Sequence, residues 1–158
     1  MRNLPLTMSR RDVAQFLSLG VSLVAATRDE RWAVELTRCA AARLQPDGRV
    51  FFAVPIPEGE RTLANIERTG VIALSAALPT NYSTLQLKGS DGARVAWPEQ
   101  ARVSQEHRTR FIESLVAIGW PSDYAAAFWS SEFEAVAFTP DEVFDQTPGP
   151  GAGLPVLP

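Results

Sequence analysis

The residues best equipped for chemistry are arginines that stand beside hydroxyls. Arg61 and Thr62 fall where a helix is expected to begin after an apolar strand, and Arg38 and Arg43 lie near Thr37 on an earlier strand. A guanidinium offers a planar fork to phosphate or carboxylate oxygens, and a helix start adds N–H groups and the positive end of the dipole. Arg61 could therefore hold two phosphate oxygens while Thr62 donates a further hydrogen bond. The alternative is a solvated helix face, and Glu58 and Glu60 favour it, since their charges satisfy the dipole and repel an anion. Arg38 and Arg43 are an odd number of residues apart, so a regular strand turns them to opposite faces with Thr37 on the side of Arg43. Both could meet one ligand only across a bulge; otherwise Arg38 is an exposed arginine on an edge strand. Of the 15 basic residues only Lys88 is lysine. That preference suits anion recognition, but codon bias is the favoured explanation.

Other chemistries are poorly supplied. A single cysteine, Cys39, allows no internal disulfide and no multi-thiolate zinc site, and a single histidine, His107, removes most His-based metal and triad chemistry. Cys39 reads as a small core residue and His107 as a solvated helix residue. No glycine-rich phosphate loop follows any strand. With a net charge of −3 and 46% hydrophobic residues, the 158-residue chain has globular composition and no electrostatic footprint for nucleic acid. No apolar run is long enough for a membrane span. Ser9-Arg10-Arg11 faintly imitates a twin-arginine export signal, but Ser9 reads better as a helix N-cap with Asp12 completing a capping box. The expected compartment is the cytoplasm.

The elements that must position these residues alternate between strands and short helices. A helix from Ser9 to Leu19 should stop at Gly20, with Val13, Phe16 and Leu17 on its buried face. Strands follow at Val21 to Thr27, at Trp32 to Leu44 as one long bent strand, and at Val50 to Val54 as its antiparallel partner. A helix over Glu58 to Thr69, ended by Gly70, lies on the sheet. A strand from Val71 to Leu78 precedes a hairpin over Tyr82 to Trp97 that turns at Ser90-Asp91-Gly92. Pro98 opens a helix to Gly119 with a stripe of Val103, Phe111, Leu115 and Ile118, and Ser122 caps a short helix through Trp129. A last strand covers Glu134 to Thr139. The Pro/Gly-rich tail can be ordered only by lying on another surface. This order favours a small antiparallel barrel with helices outside it over a doubly wound parallel sheet.

From Gly48-Arg49-Val50-Phe51-Phe52 through Arg61-Thr62-Leu63-Ala64-Asn65-Ile66 to Gly70-Val71-Ile72-Ala73-Leu74, and then Leu85-Gln86-Leu87-Lys88-Gly89, the chain resembles the pyridoxamine 5′-phosphate oxidase-like split-barrel flavoproteins. The likeness covers most of residues 20–98 and rests on order and spacing. It implies a mainly β, α+β fold: a six- to seven-stranded antiparallel split β-barrel with flanking helices, spanning residues 1–145, with 146–158 as the tail. It also implies a homodimer that binds FMN in clefts between subunits. On that likeness Arg38 and Arg43 match a basic pair on the second strand, with Thr37 beside them. Phe52 and Ala53 fall where backbone groups meet the isoalloxazine ring, Arg61-Thr62 fall at the phosphate-binding Arg-Lys pair, and Thr84 falls at a ring-contacting glutamine. Two departures, Thr62 for lysine and Glu60 for a small polar residue, take positive charge from the phosphate position. Nothing matches the substrate-phosphate residues of the vitamin B6 oxidases.

The function so implied is that of an FMN-binding oxidoreductase using a nicotinamide or small organic substrate, with the flavin carrying the redox chemistry. A non-catalytic flavin- or ligand-binding module of the same fold is the alternative, and a cofactor-free interaction domain a third. Trp120, Tyr124, Phe128 and Trp129 form an aromatic cluster, read as core or subunit contact, one ring of which could cover a flavin.

Overall fold

A computed structural model describes residues 7–127, 129 and 132–156. The first helix, α1 (Arg10–Leu17), starts as the local chemistry dictates: the Ser9 hydroxyl accepts from the Asp12 N–H, and the Asp12 carboxylate accepts from the Ser9 N–H at 2.8 Å. Its stop is Ser18 rather than Gly20. Gly20 serves a different purpose, because a Cβ there would collide with the Arg110 carbonyl of a later helix.

Ten strands among the described residues form two antiparallel sheets. One has six strands in the order β10-β9-β6-β5-β1-β2, and the other has four in the order β3-β4-β8-β7. The six-stranded sheet comprises β1 (Ser22–Arg28), β2 (Val34–Cys39), β5 (Ile72–Ala77), β6 (Thr84–Gly89), β9 (Glu142–Asp145) and β10 (Leu154–Pro155). The four-stranded sheet comprises β3 (Ala42–Leu44), β4 (Val50–Ile56), β7 (Ala93–Arg94) and β8 (Glu132–Phe138). Neither sheet closes into a barrel, which corrects the expected six- to seven-stranded split barrel. The chain passes between the sheets four times, and two of these crossings fall inside units expected to stay whole.

The first is the long bent strand, which breaks at Ala40-Ala41: β2 pairs with β1, whereas β3 pairs with β4. There Ala40 donates to the Ala53 carbonyl and Ala53 donates to the Ala41 carbonyl, each at 2.9 Å, so two residues face one as in a β-bulge. The second is the expected hairpin over Tyr82 to Trp97. Its arms separate, because β9 takes the edge of β6 and leaves β7 to pair with β8.

The inner faces of the sheets enclose the core, with Leu23, Leu74, Leu85 and Leu87 on one side and Val50, Phe52, Val136 and Phe138 on the other. Helix α2 (Glu60–Thr69) inserts Leu63 and Ile66 into this core. It ends at Gly70, whose φ of 67° suits glycine and whose N–H closes on the Ile66 carbonyl. The tail is ordered through contact, as its composition requires. Met8 donates to the Val156 carbonyl and Val156 to that of Val143, placing the tail against β9.

Helix α3 (Gln100–Ala117) buries Val103, His107, Phe111 and Leu115, while Ile118 is exposed. Both His107, expected in solvent, and Ile118, expected in the apolar stripe, are therefore corrected: the buried register runs in steps of four and Ile118 falls off it. The short α4 (Ser122–Ala126) has Pro121, not Ser122, at its N-cap. Trp120 and Tyr124 pack on each other at 5.3 Å on the surface, and Phe128 lies outside the described residues. Among the described residues no helix is long and apolar enough to cross a membrane.

Candidate functional site

Two regions meet the elements that carry the arginines. The first is the opening turn of α2. Thr62 is fully buried there, and its hydroxyl lies 2.6 Å from that of Thr37 on β2, so each satisfies the other inside the protein. Arg61 points the opposite way, with its side chain 77% exposed and its guanidinium 3.3 Å from Glu35. Glu58 and Glu60 flank it in sequence. One guanidinium among these carboxylates leaves no surplus positive charge for a phosphate, and the dipole of the helix start already has acidic neighbours.

The second region is a cleft of about 330 Å³ along the outer edge of β2, the last strand of the six-stranded sheet. Arg38, Thr37 and Cys39 line it from β2, Glu58 from the α2 approach, His107 and Phe111 from α3, and Trp129 and Phe133 from the segment before and within β8. Its lining thus includes one cation and one carboxylate together with the aromatic rings of Phe111, Trp129 and Phe133. The volume falls at the lower end of the range for small-ligand pockets.

Two titratable groups of this cleft are buried, and both are held uncharged. His107 Nε2 lies 2.8 Å from the Val21 carbonyl, an acceptor, so this nitrogen carries the proton and donates it. Burial lowers its pKa to about 4, with the Arg110 charge adding to the effect and the Val21 bond opposing it. The ring is neutral at pH 7 and stacks on Trp129 at 6.2 Å. Cys39 is buried as well, and desolvation pushes its thiol up to about 12, so it stays protonated and unreactive.

The remaining sequence-derived positions scatter. Arg43 does not line the cleft; its guanidinium nitrogens lie 3.9 Å from Glu99 and from Glu106 of α3. The bulge at Ala40-Ala41 therefore does not bring Arg38 and Arg43 to one pocket. Phe52 is fully buried, edge-on to Phe138 at 6.0 Å, and the Ala53 N–H and carbonyl are engaged by Ala41 and Ala40. Thr84 sits at the start of β6, with its N–H donating to the Thr147 hydroxyl and its own hydroxyl to the Tyr82 carbonyl. Of the candidate positions, Arg38 and Thr37 are those that line the cleft.

Sequence reasoning missed His107, Phe111, Phe133 and Glu58 as cleft residues. For His107 a signal existed, since it stands midway between Val103 and Phe111 at steps of four, the register of a buried helix face. Phe133 and Glu58 carried none, because only the meeting of distant segments brings them to β2. Among the described residues no cluster of His, Cys, Asp or Glu could hold a metal ion.

No protein-family model matches the chain, and no curated protein matches it. Solved structures do. The HupZ protein of Group A Streptococcus, in a tagged form, superposes with a TM-score of 0.57 at 13% identity, over 92% of this chain and 100% of that one. A pyridoxamine 5′-phosphate oxidase-related, FMN-binding protein of Nostoc punctiforme gives 0.52 at 13% identity, over 92% and 88%. An F420 reductase gives 0.51 at 16% identity, over 82% and 93%. At these identities the likeness is one of fold: the chain is similar in fold to a pyridoxamine 5′-phosphate oxidase-related, FMN-binding protein and to an F420 reductase.

Proposed function

We propose that the chain is a cytoplasmic FMN-binding flavoprotein that acts as an oxidoreductase on a nicotinamide or small organic substrate. The cleft beside β2 carries this reading, because it joins a guanidinium to aromatic walls within a fold shared with an FMN-binding protein. The residues of the α2 turn do not fit the cofactor's phosphate, since Thr62 is spent on Thr37 and Arg61 is paired with Glu35. The cleft differs in offering open volume bordered by a guanidinium, with Glu58 also in its lining. Arg38 would hold the phosphate, and Phe111, Trp129 and Phe133 would give the ring system apolar surface and exclude water. Bound flavin would supply hydride or electron transfer, and the protein would supply orientation and a dry environment.

A homodimer belongs to the same proposal. Val34 and Leu36 of β2 share one face of this edge strand, and each is 66% exposed. A second copy covering that face would remove them from water and shield the cleft edge.

A second reading, a non-catalytic flavin-binding module, is favoured by one observation. The neutral His107 and the protonated Cys39 cannot relay protons at neutral pH. The experiment is titration of purified protein with FMN, followed by anaerobic addition of NADH or NADPH. Saturable flavin binding with bleaching of the flavin absorbance supports the oxidoreductase. Binding without bleaching by either nicotinamide supports the module. No binding removes both.

A further inference from the structure

The wall of the cleft beside β2 holds one polar atom that the chain leaves unused. His107 is 4% exposed, and its Nε2–H is spent on the Val21 carbonyl at 2.8 Å. In a neutral imidazole the second nitrogen, Nδ1, then carries a lone pair and no proton, so it can only accept. Among the described residues it meets no donor. Three other polar side-chain atoms lack partners, at Trp97, Ser104 and Arg108, and all of those are enclosed. His107 Nδ1 is not one of the enclosed atoms, so it keeps accessible surface, and His107 borders the cleft. Buried polar groups are nearly always paired, so an acceptor in a cavity wall with no donor from the chain calls for a ligand that brings one.

The surroundings narrow that ligand. Burial and the Arg110 charge keep the imidazole neutral, and both act equally against a cationic group placed beside it. An anionic group fares no better at this atom, since it sets lone pairs against a lone pair. A neutral N–H or O–H remains. The walls decide what carries it. Trp129 stacks on the imidazole at 6.2 Å, Phe133 meets Trp129 at a steep angle at 6.2 Å, and Phe111 stands one helical turn from His107. Within about 330 Å³ these rings offer flat apolar surface to another flat ring.

We infer that the cleft beside β2 selects a neutral aromatic heterocycle with an in-plane N–H, which donates to His107 Nδ1 while the ring packs on Phe111, Trp129 and Phe133. The imide N–H of an isoalloxazine is one source of this donor, in which case the contact rests on the flavoprotein reading. A small heterocycle such as an indole is the other. His107 then positions the ring and is neither acid nor base.

The test titrates the full chain with two pairs of probes, FMN with its imide N-methyl analogue and indole with N-methylindole, while the imidazole nitrogen resonances of His107 are followed. His107 is the only histidine of the chain, so the signal is unambiguous. At least one N–H probe should bind saturably and shift the Nδ1 resonance, and its methylated mate should bind at least about tenfold more weakly. Indole read in this way while FMN fails to bind removes the flavin and supports the inference. A methylated probe that binds as tightly as its mate overturns the inference, and in the FMN pair it does so while keeping the flavin. The inference is equally overturned if neither N–H probe binds, or if a bound one leaves Nδ1 unmoved. His107→Phe keeps a ring on Trp129 and loses the acceptor, so it should bind both members of a pair alike; continued discrimination by the folded variant overturns the inference, and the probes on the parent chain decide if the variant does not fold.

Discussion

The opening turn of α2 and the cleft along β2 each place an arginine near a hydroxyl and a helix, yet only the cleft offers a cavity to a ligand. In the turn both members of the expected phosphate pair are engaged by the chain: Thr62 by Thr37, and Arg61 by Glu35. In the cleft the buried titratable groups are held neutral, the walls are aromatic, and Arg38 lines the same cavity. The difference teaches that residue order along the chain does not make a binding site. A side chain contributes to recognition where it borders open volume, and far less where it is enclosed or turned away from one.

Thr62→Lys should break that contrast most forcefully if it is wrong. Were the α2 turn a phosphate site, the new ammonium would tighten FMN. Because Thr62 is fully enclosed, the substitution should instead cost about 3 kcal/mol or more by burying a charge and stranding the Thr37 hydroxyl. Urea unfolding measures this, and a stable variant with tighter FMN would erase the distinction.

The cleft has its own pH signature. His107 has its pKa lowered from 6.5 to about 4, so as pH falls through that window the unfolded chain takes up a proton that the folded chain refuses. Stability is full above the unfolded value and should fall by up to about 3 kcal/mol toward the folded one, levelling off below it. His107→Gln, which keeps a donor for Val21, should flatten that slope; an unchanged slope would locate the titrating group elsewhere.

Flavin affinity sharpens the comparison further. Arg38→Ala should weaken FMN by about 1.5–3 kcal/mol, the scale of a lost charged hydrogen bond, whereas Arg61→Ala should change it by less than about 0.5 kcal/mol. Equal effects in isothermal titration would return the phosphate to the α2 turn. The smallest effect concerns the hydroxyl pair. Thr37→Val should cost about 1 kcal/mol of stability, and Thr37→Val with Thr62→Val should recover part of it, since removing both partners leaves nothing unsatisfied. Additive losses would show that the two hydroxyls act independently.

Local chemistry was legible from residue types. The capping box of Ser9 and Asp12, the Gly70 stop of α2, the apolar strands and the tail's need for a supporting surface all depend on neighbours within a few residues. Pairing across long separations was not. The Ser90-Asp91-Gly92 turn carries every local mark of a hairpin, yet β9, about fifty residues on, competes successfully for the edge of β6. The candidate arginines were legible as chemistry, but which of them a cavity includes was not, because Glu35 meets Arg61, and Glu58 joins Arg38 in the cleft, only through folding.

The amino-acid sequence by itself determined that this is a strand-rich chain with short capped helices, a single thiol, a single imidazole and anion-seeking arginines, because propensity, capping and composition act over a few residues. Only the tertiary structure decided that the long strand divides between two sheets at Ala40-Ala41, that Thr62 faces inward, and that Arg38, unlike Arg43 and Arg61, lines the cleft beside β2. Those outcomes depend on which distant backbone edges and side chains compete for one another, and that competition is resolved by the packing of the whole core.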